Sequence, residues 1–113
     1  MSEVPNSTAQ WYPVARIGEI PPGGVKHVEI EDEEIGIYNL DGEYYAISDV
    51  CSHQYAQLSD GEIDPDEGTV ECPLHGSLFE IRTGDVLSLP AVSPVEKYDL
   101  RVNGLDIEIN LIY

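Results

Sequence analysis

The chain has 113 residues, of which 22 are acidic and 5 basic, giving a formal net charge of -17 at pH 7. That length holds one domain with a hydrophobic core and little room for a second active site, so a small carrier fits it better than an enzyme with its own substrate pocket. So negative a surface argues against nucleic acid and membrane as partners, and the acidity itself fits a solvated surface, a docking role or a saline habitat.

In chain order, the first nine residues read as a flexible tail. Met1 to Ser7 lacks the basic stretch and apolar run of a secretory signal, and no apolar segment is long enough to span a bilayer, so the expected location is cytoplasmic. Trp11 and the tyrosines at 12, 38, 44, 45 and 98 are expected to fill core and sheet surface. Pro21-Pro22-Gly23-Gly24 is a turn, and His27 stands alone on a strand as a surface or packing histidine. Glu31-Asp32-Glu33-Glu34 reads as an exposed turn, and a hairpin follows from about Ile35 to Ser48, turning at Asp41-Gly42. Residues 49–85 are richer in Gly, Asp, Ser and Pro and carry every candidate ligand. A last hairpin alternates Tyr98, Leu100 and Val102 with polar neighbours, turns at Asn103-Gly104, and alternates again through Leu105, Ile107, Ile109 and Leu111, with one face apolar. The reading is an all-β, antiparallel single domain: a base of about 10–48 and 86–113 with a ligand-bearing subdomain, about 49–85, inserted into it.

Both cysteines and two of the three histidines fall in two short motifs, Cys51-Ser52-His53 and Cys72-Pro73-Leu74-His75-Gly76-Ser77. Proline fixes φ and glycine permits conformations other residues resist, which suits tight loops that aim backbone N–H groups inward. Two thiolates and two imidazoles admit zinc or an iron–sulfur cluster. A zinc finger usually takes its cysteines from one knuckle and its histidines from another, whereas here each knuckle carries one of each. In a Rieske centre two histidines replace two cysteines on one iron of a [2Fe-2S] cluster. The plainer readings are a mononuclear zinc site in a structural interaction module, or a Cys51–Cys72 disulfide with incidental histidines.

Cys-x-His, eighteen residues, then Cys-x-x-His-Gly-Ser resembles the signature of Rieske-type ferredoxins. Leu58-Ser59-Asp60-Gly61, Phe79-Glu80-Ile81-Arg82-Thr83-Gly84 and Leu89-Pro90-Ala91 look like further landmarks, and the resemblance runs from about Trp11 to the C-terminus. It implies a Rieske fold, antiparallel sheets with the cluster held between two loops at one tip. It assigns Cys51 and Cys72 to one iron and His53 and His75 to the other, with Pro90 covering a third side. Neutral imidazoles in place of two thiolates leave the oxidised centre formally uncharged, so an added electron is easier to accept. Rieske potentials accordingly lie at roughly -150 to +300 mV against about -400 mV for plant-type ferredoxins.

Respiratory Rieske proteins resemble this chain around the cluster but add a disulfide between the loops, where this sequence has Ala56 or its neighbours and Leu74. Their serine after His-Gly and tyrosine two residues later give hydroxyl bonds to cluster sulfur; this chain keeps Ser77 and has Phe79 in the second place. The resemblance therefore implies a low to intermediate potential, with Ser77 as a cofactor-contacting residue. It also implies a monomeric one-electron carrier, not an enzyme, working between a flavin-dependent NAD(P)H reductase and the terminal oxygenase of a bacterial aromatic-ring dioxygenase system. The small subunit of an assimilatory nitrite reductase is the rival within the family.

Overall fold

A computed structural model describes residues 10–111, which form ten strands in three antiparallel sheets. The strands are β1 (Gln10–Arg16), β2 (Val25–Ile30), β3 (Glu33–Leu40), β4 (Glu43–Ser48), β5 (Ile63–Asp64), β6 (Thr69–Glu71), β7 (Leu78–Glu80), β8 (Lys97–Tyr98), β9 (Leu100–Asn103) and β10 (Asp106–Leu111). The first sheet has the order β1-β10-β9, the second β2-β3-β4-β8 and the third β5-β6-β7. The expected tail at residues 1–9 lies outside the described residues.

Alternation along β3 explains how the three sheets share one body. Successive side chains point to opposite faces of a strand. Ile35 and Ile37 pack with Ala46, Tyr98, Ile107 and Ile109 in a core between the first two sheets. Tyr38 and Leu40 pack with Ile47, Leu58, Val70, Phe79 and Ile81 in a second core against the third sheet. The middle sheet is covered on both faces, which is why β3 is buried without a break from Ile35 to Leu40. Each fully buried Ile or Leu contributes on the order of 1.5–3 kcal/mol, and Cys51 and Cys72 belong to the second core.

The hairpin expected at 35–48 forms, and its turn has positive φ at both Asp41 (55°) and Gly42 (91°), the geometry that suits the twist of a two-residue connection. Two expectations need correction. The acidic turn is only Glu31-Asp32, with φ of 52° and 70°, while Glu33 and Glu34 pair with Ile30 and Glu29 as the start of β3. The last hairpin does not keep one apolar face. Its first arm breaks at Asp99: Tyr98 pairs with β4 in the second sheet, and from Leu100 onward the chain pairs with β10 in the first. The polar face of β10 is flanked by Trp11 of β1, opposite Asn110, and by Arg101 of β9, opposite Glu108. Glu108 and Asn110 are buried, and the Glu108 carboxylate accepts a 2.7 Å bond from Arg101 Nε, whose guanidinium lies 4.2 Å from the Trp11 ring centroid. Towards the turn, Val102 and Leu105, expected on the core face, are exposed.

Between β4 and β8 the chain leaves the second sheet, builds the third, and returns. Both ligand motifs lie on that excursion.

Candidate metal centre

Each motif becomes a loop closed at its root by backbone. Cys51 N–H donates to Ala56 O at 3.0 Å, and Cys72 N–H donates to Ser77 O at 2.8 Å. The second loop is tightened further by Gly76 N–H donating to Cys72 O at 3.0 Å, with Gly76 at φ 80°, a left-handed conformation that a side chain would oppose. Because each cysteine stands at the root and each histidine at the crown, the thiols are buried at 3% and 1% exposure while both imidazoles are exposed. The His53 and His75 rings meet edge to face, with centroids 4.9 Å apart and planes at 79°.

The sulfur side is prepared for a cation. Burial pushes the Cys51 thiol pKa up, the backbone N–H groups of His53 and Gln54 aimed at the sulfur oppose that rise, and the adjoining Cys72 adds to it. The Cys51 thiol therefore resists ionising, and a metal that replaces its proton removes that resistance. Both cysteines are free, so the disulfide reading fails in this structure. Among the described residues no three His, Cys, Asp or Glu side chains converge as a site for a single metal ion. The four candidates instead form a thiol pair and an imidazole pair, a division that suits a group with two metal atoms better than one tetrahedral zinc.

A third segment straps the two loops together. Ser52 Oγ donates to Ser93 O at 2.5 Å, Leu78 N–H donates to Ser88 Oγ at 2.9 Å, and Ala91 N–H donates to Ser77 Oγ at 2.9 Å. Ser77 is wholly buried, and its oxygen is used as an acceptor, so its proton is available to a further acceptor. Phe79 lies in the second core with no exposure. At the crown, His75 Nε2 and Gln54 Oε1 are 2.5 Å apart. Donation from Nε2 to that carbonyl leaves His75 Nδ1 bare for a metal.

Sequence reasoning missed a buried polar knot behind the first loop. Asp49, fully buried, faces Ser59 and His27, so His27 is no isolated surface residue. The available signal was an aspartate two residues before the first cysteine and a serine within Leu58-Ser59-Asp60-Gly61; nothing local pointed to His27.

A family profile described as the Rieske [2Fe-2S] domain matches residues 10–99. The chain belongs to the Rieske [2Fe-2S] family. Its cofactor is accordingly a Rieske-type [2Fe-2S] cluster, and the paired thiols and imidazoles described above suit it. The 3-phenylpropionate/cinnamic acid dioxygenase ferredoxin subunit of Escherichia coli K12 is 41% identical over 95 residues, covering 84% of this chain and 88% of that protein. Among solved structures, the ferredoxin of carbazole 1,9a-dioxygenase from Nocardioides aromaticivorans IC177 is 34% identical with a TM-score of 0.85, over 88% of this chain and 95% of that one. A ferredoxin solved in complex with the oxygenase of carbazole 1,9a-dioxygenase is 28% identical with a TM-score of 0.82, over 88% of this chain and 91% of its own. This Rieske chain is thus an electron-transfer component, not a catalytic subunit.

Proposed function

We propose that Cys51 and Cys72 hold one iron and His53 and His75 the other, with the Ser77 hydroxyl bonded to cluster sulfur. The chain then carries single electrons from a flavin-dependent NAD(P)H reductase to a terminal ring-hydroxylating oxygenase. The carrying observation is the matched pair of loops, each with a buried thiol at its root and an exposed imidazole at its crown. When bound, the cluster supplies a one-electron redox couple at the potentials of its class.

The chain's own residues divide the remaining work. The roots, packed among Leu58, Phe79 and Ala91, keep water from the sulfurs. The crowns bring the imidazole edge to the surface, where a partner can touch it. Tyr55 and Leu74 in the two loops, and Leu87, Leu89 and Val92 on the strap, are exposed, and the run from Val86 to Val95 carries no charge in a chain of net charge -17. A small uncharged contact ringed by acidic surface suits a short-lived electron-transfer complex. Relatives named as dioxygenase ferredoxins support this role over that of a nitrite reductase subunit. Among the described residues no helix is long and apolar enough to cross a membrane, and we place the carrier in the cytoplasm as a monomer.

Analysis of freshly purified protein should return about two irons and two acid-labile sulfides per chain. Replacement of either His53 or His75 by alanine should abolish the Rieske electron paramagnetic resonance signal. Zinc without sulfide, in protein made with ample iron, would overturn the reading.

A further inference from the structure

Every polar atom of Asp49 is engaged. Its N–H donates to Glu34 O at 2.8 Å, and its carbonyl accepts from Leu58 N–H at 2.9 Å. Its Oδ1 accepts from Ser59 N–H at 2.7 Å, and its Oδ2 accepts from Ser59 Oγ and His27 Nδ1, each at 2.6 Å. Both side-chain oxygens thus face N–H and O–H groups, the partners an acid side chain accepts from. The 2.6 Å bond assigns the ring proton to Nδ1 of His27, which leaves Gln57 Nε2, 3.3 Å from the same nitrogen, as a neighbour and not a donor.

The surroundings are shaped around that charge. A Cβ on Gly36 would lie 3.3 Å from Asp49 Oδ1 and 2.9 Å from Tyr38 Cε1, so the glycine makes room for both. The Tyr38 hydroxyl is buried without a hydrogen-bond partner, and burial, then the Asp49 charge, push its pKa up. The first loop has a second tie to the base where Tyr55 OH donates to Glu34 Oε1 at 2.9 Å. Asp49 itself has no exposure, whereas the His27 side chain that covers it is 32% exposed.

We propose that Asp49 is a positioning residue for the redox centre: it fixes the first ligand loop to the base sheet and sets one buried negative charge behind the cluster, lowering its potential. The inference rests on the ligand assignment above. Two residues span at most about 7 Å of chain, so the Asp49 backbone is within that distance of Cys51. Tyr38, whose hydroxyl feels the Asp49 charge, shares a core with both cysteines. At roughly 10 Å and an effective dielectric of about 20, one unit charge shifts a one-electron equilibrium on the order of tenfold. A carboxylate opposes the incoming electron, so the shift favours the oxidised protein.

The test is voltammetry and electron paramagnetic resonance on cluster-loaded Asp49→Asn, which keeps the shape and removes the charge. Its equilibrium with a fixed redox partner should move on the order of tenfold towards reduced protein, a rise of about 59 mV, with a Rieske signal still present. A loaded variant with an unchanged or lower potential overturns the proposal. Should Asp49→Asn fail to retain its cluster, Asp49→Ser decides: it too removes the charge, and no rise in potential there is equally fatal. Lack of iron and sulfide in the unaltered chain would count against the ligand assignment, not against the role of Asp49.

Discussion

The Ser77 hydroxyl joins two parts of the site: its oxygen accepts the buried Ala91 N–H, and its proton remains to be given. Removing the hydroxyl should therefore have two separable effects. Ser77→Ala leaves the Ala91 donor without its acceptor, at a stability loss of about 1–3 kcal/mol in denaturant unfolding. On the proposed ligand set it also withdraws a bond to cluster sulfur that stabilises added negative charge, so voltammetry should show a lower midpoint potential. A stability loss with an unchanged potential would mean the hydroxyl serves the strap alone. The opposite signs expected for Ser77→Ala and Asp49→Asn make the pair informative: one loses a donor that favours the electron, the other a charge that opposes it.

At the scale of elements, the link between the third sheet and the turn before it depends on Gly61. A Cβ there would stand 1.7 Å from Glu71 O, a backbone atom that cannot swing aside. Gly61→Ala should displace β5 from β6 and lower stability by about 1–3 kcal/mol, read as a lower urea midpoint with little change in slope. The same segment shows what the sequence could and could not reveal. Leu58-Ser59-Asp60-Gly61 was legible as a landmark, but its reasons are contacts with distant residues: Leu58 fills the second core, Ser59 meets Asp49, and Gly61 clears Glu71. Ligand candidates were legible because both motifs are short and local. The hairpin at Asp41-Gly42 was legible for the same reason. His27 and Asp49, 22 positions apart, meet only because β3 lies between β2 and β4 in the second sheet, with His27 opposite Gly36 on one side and Asp49, just past β4, bonded to Glu34 on the other. The break at Asp99 was hidden because alternation reports which residues want burial and not which sheet will bury them.

For the whole molecule, the formal charge of -17 predicts a kinetic signature. Asp60, Asp64, Asp66, Glu67 and Glu71 are all exposed beside or between the ligand loops. Attraction to a basic partner acts over a Debye length of about 8 Å at physiological ionic strength and fades as salt rises. Stopped-flow reduction by the cognate reductase should slow steadily with added salt while the midpoint potential stays nearly fixed. A second-order rate that is flat across the salt range would return the acidity to solubility or a saline habitat.

The sheet order also sets a timetable for synthesis. In the first sheet β1 pairs only with β10, so that sheet cannot close until residues 106–111 have been made. The second and third sheets are built mainly from strands adjacent in sequence, β2 to β4 and β5 to β7, and both ligand loops lie within that span. A ribosome adds roughly 5–20 residues per second. The two loops can therefore be framed a few seconds, roughly, before the sandwich beneath them is complete, while β1 waits with its edge bare and half of the first core open to the chaperones of the nascent chain.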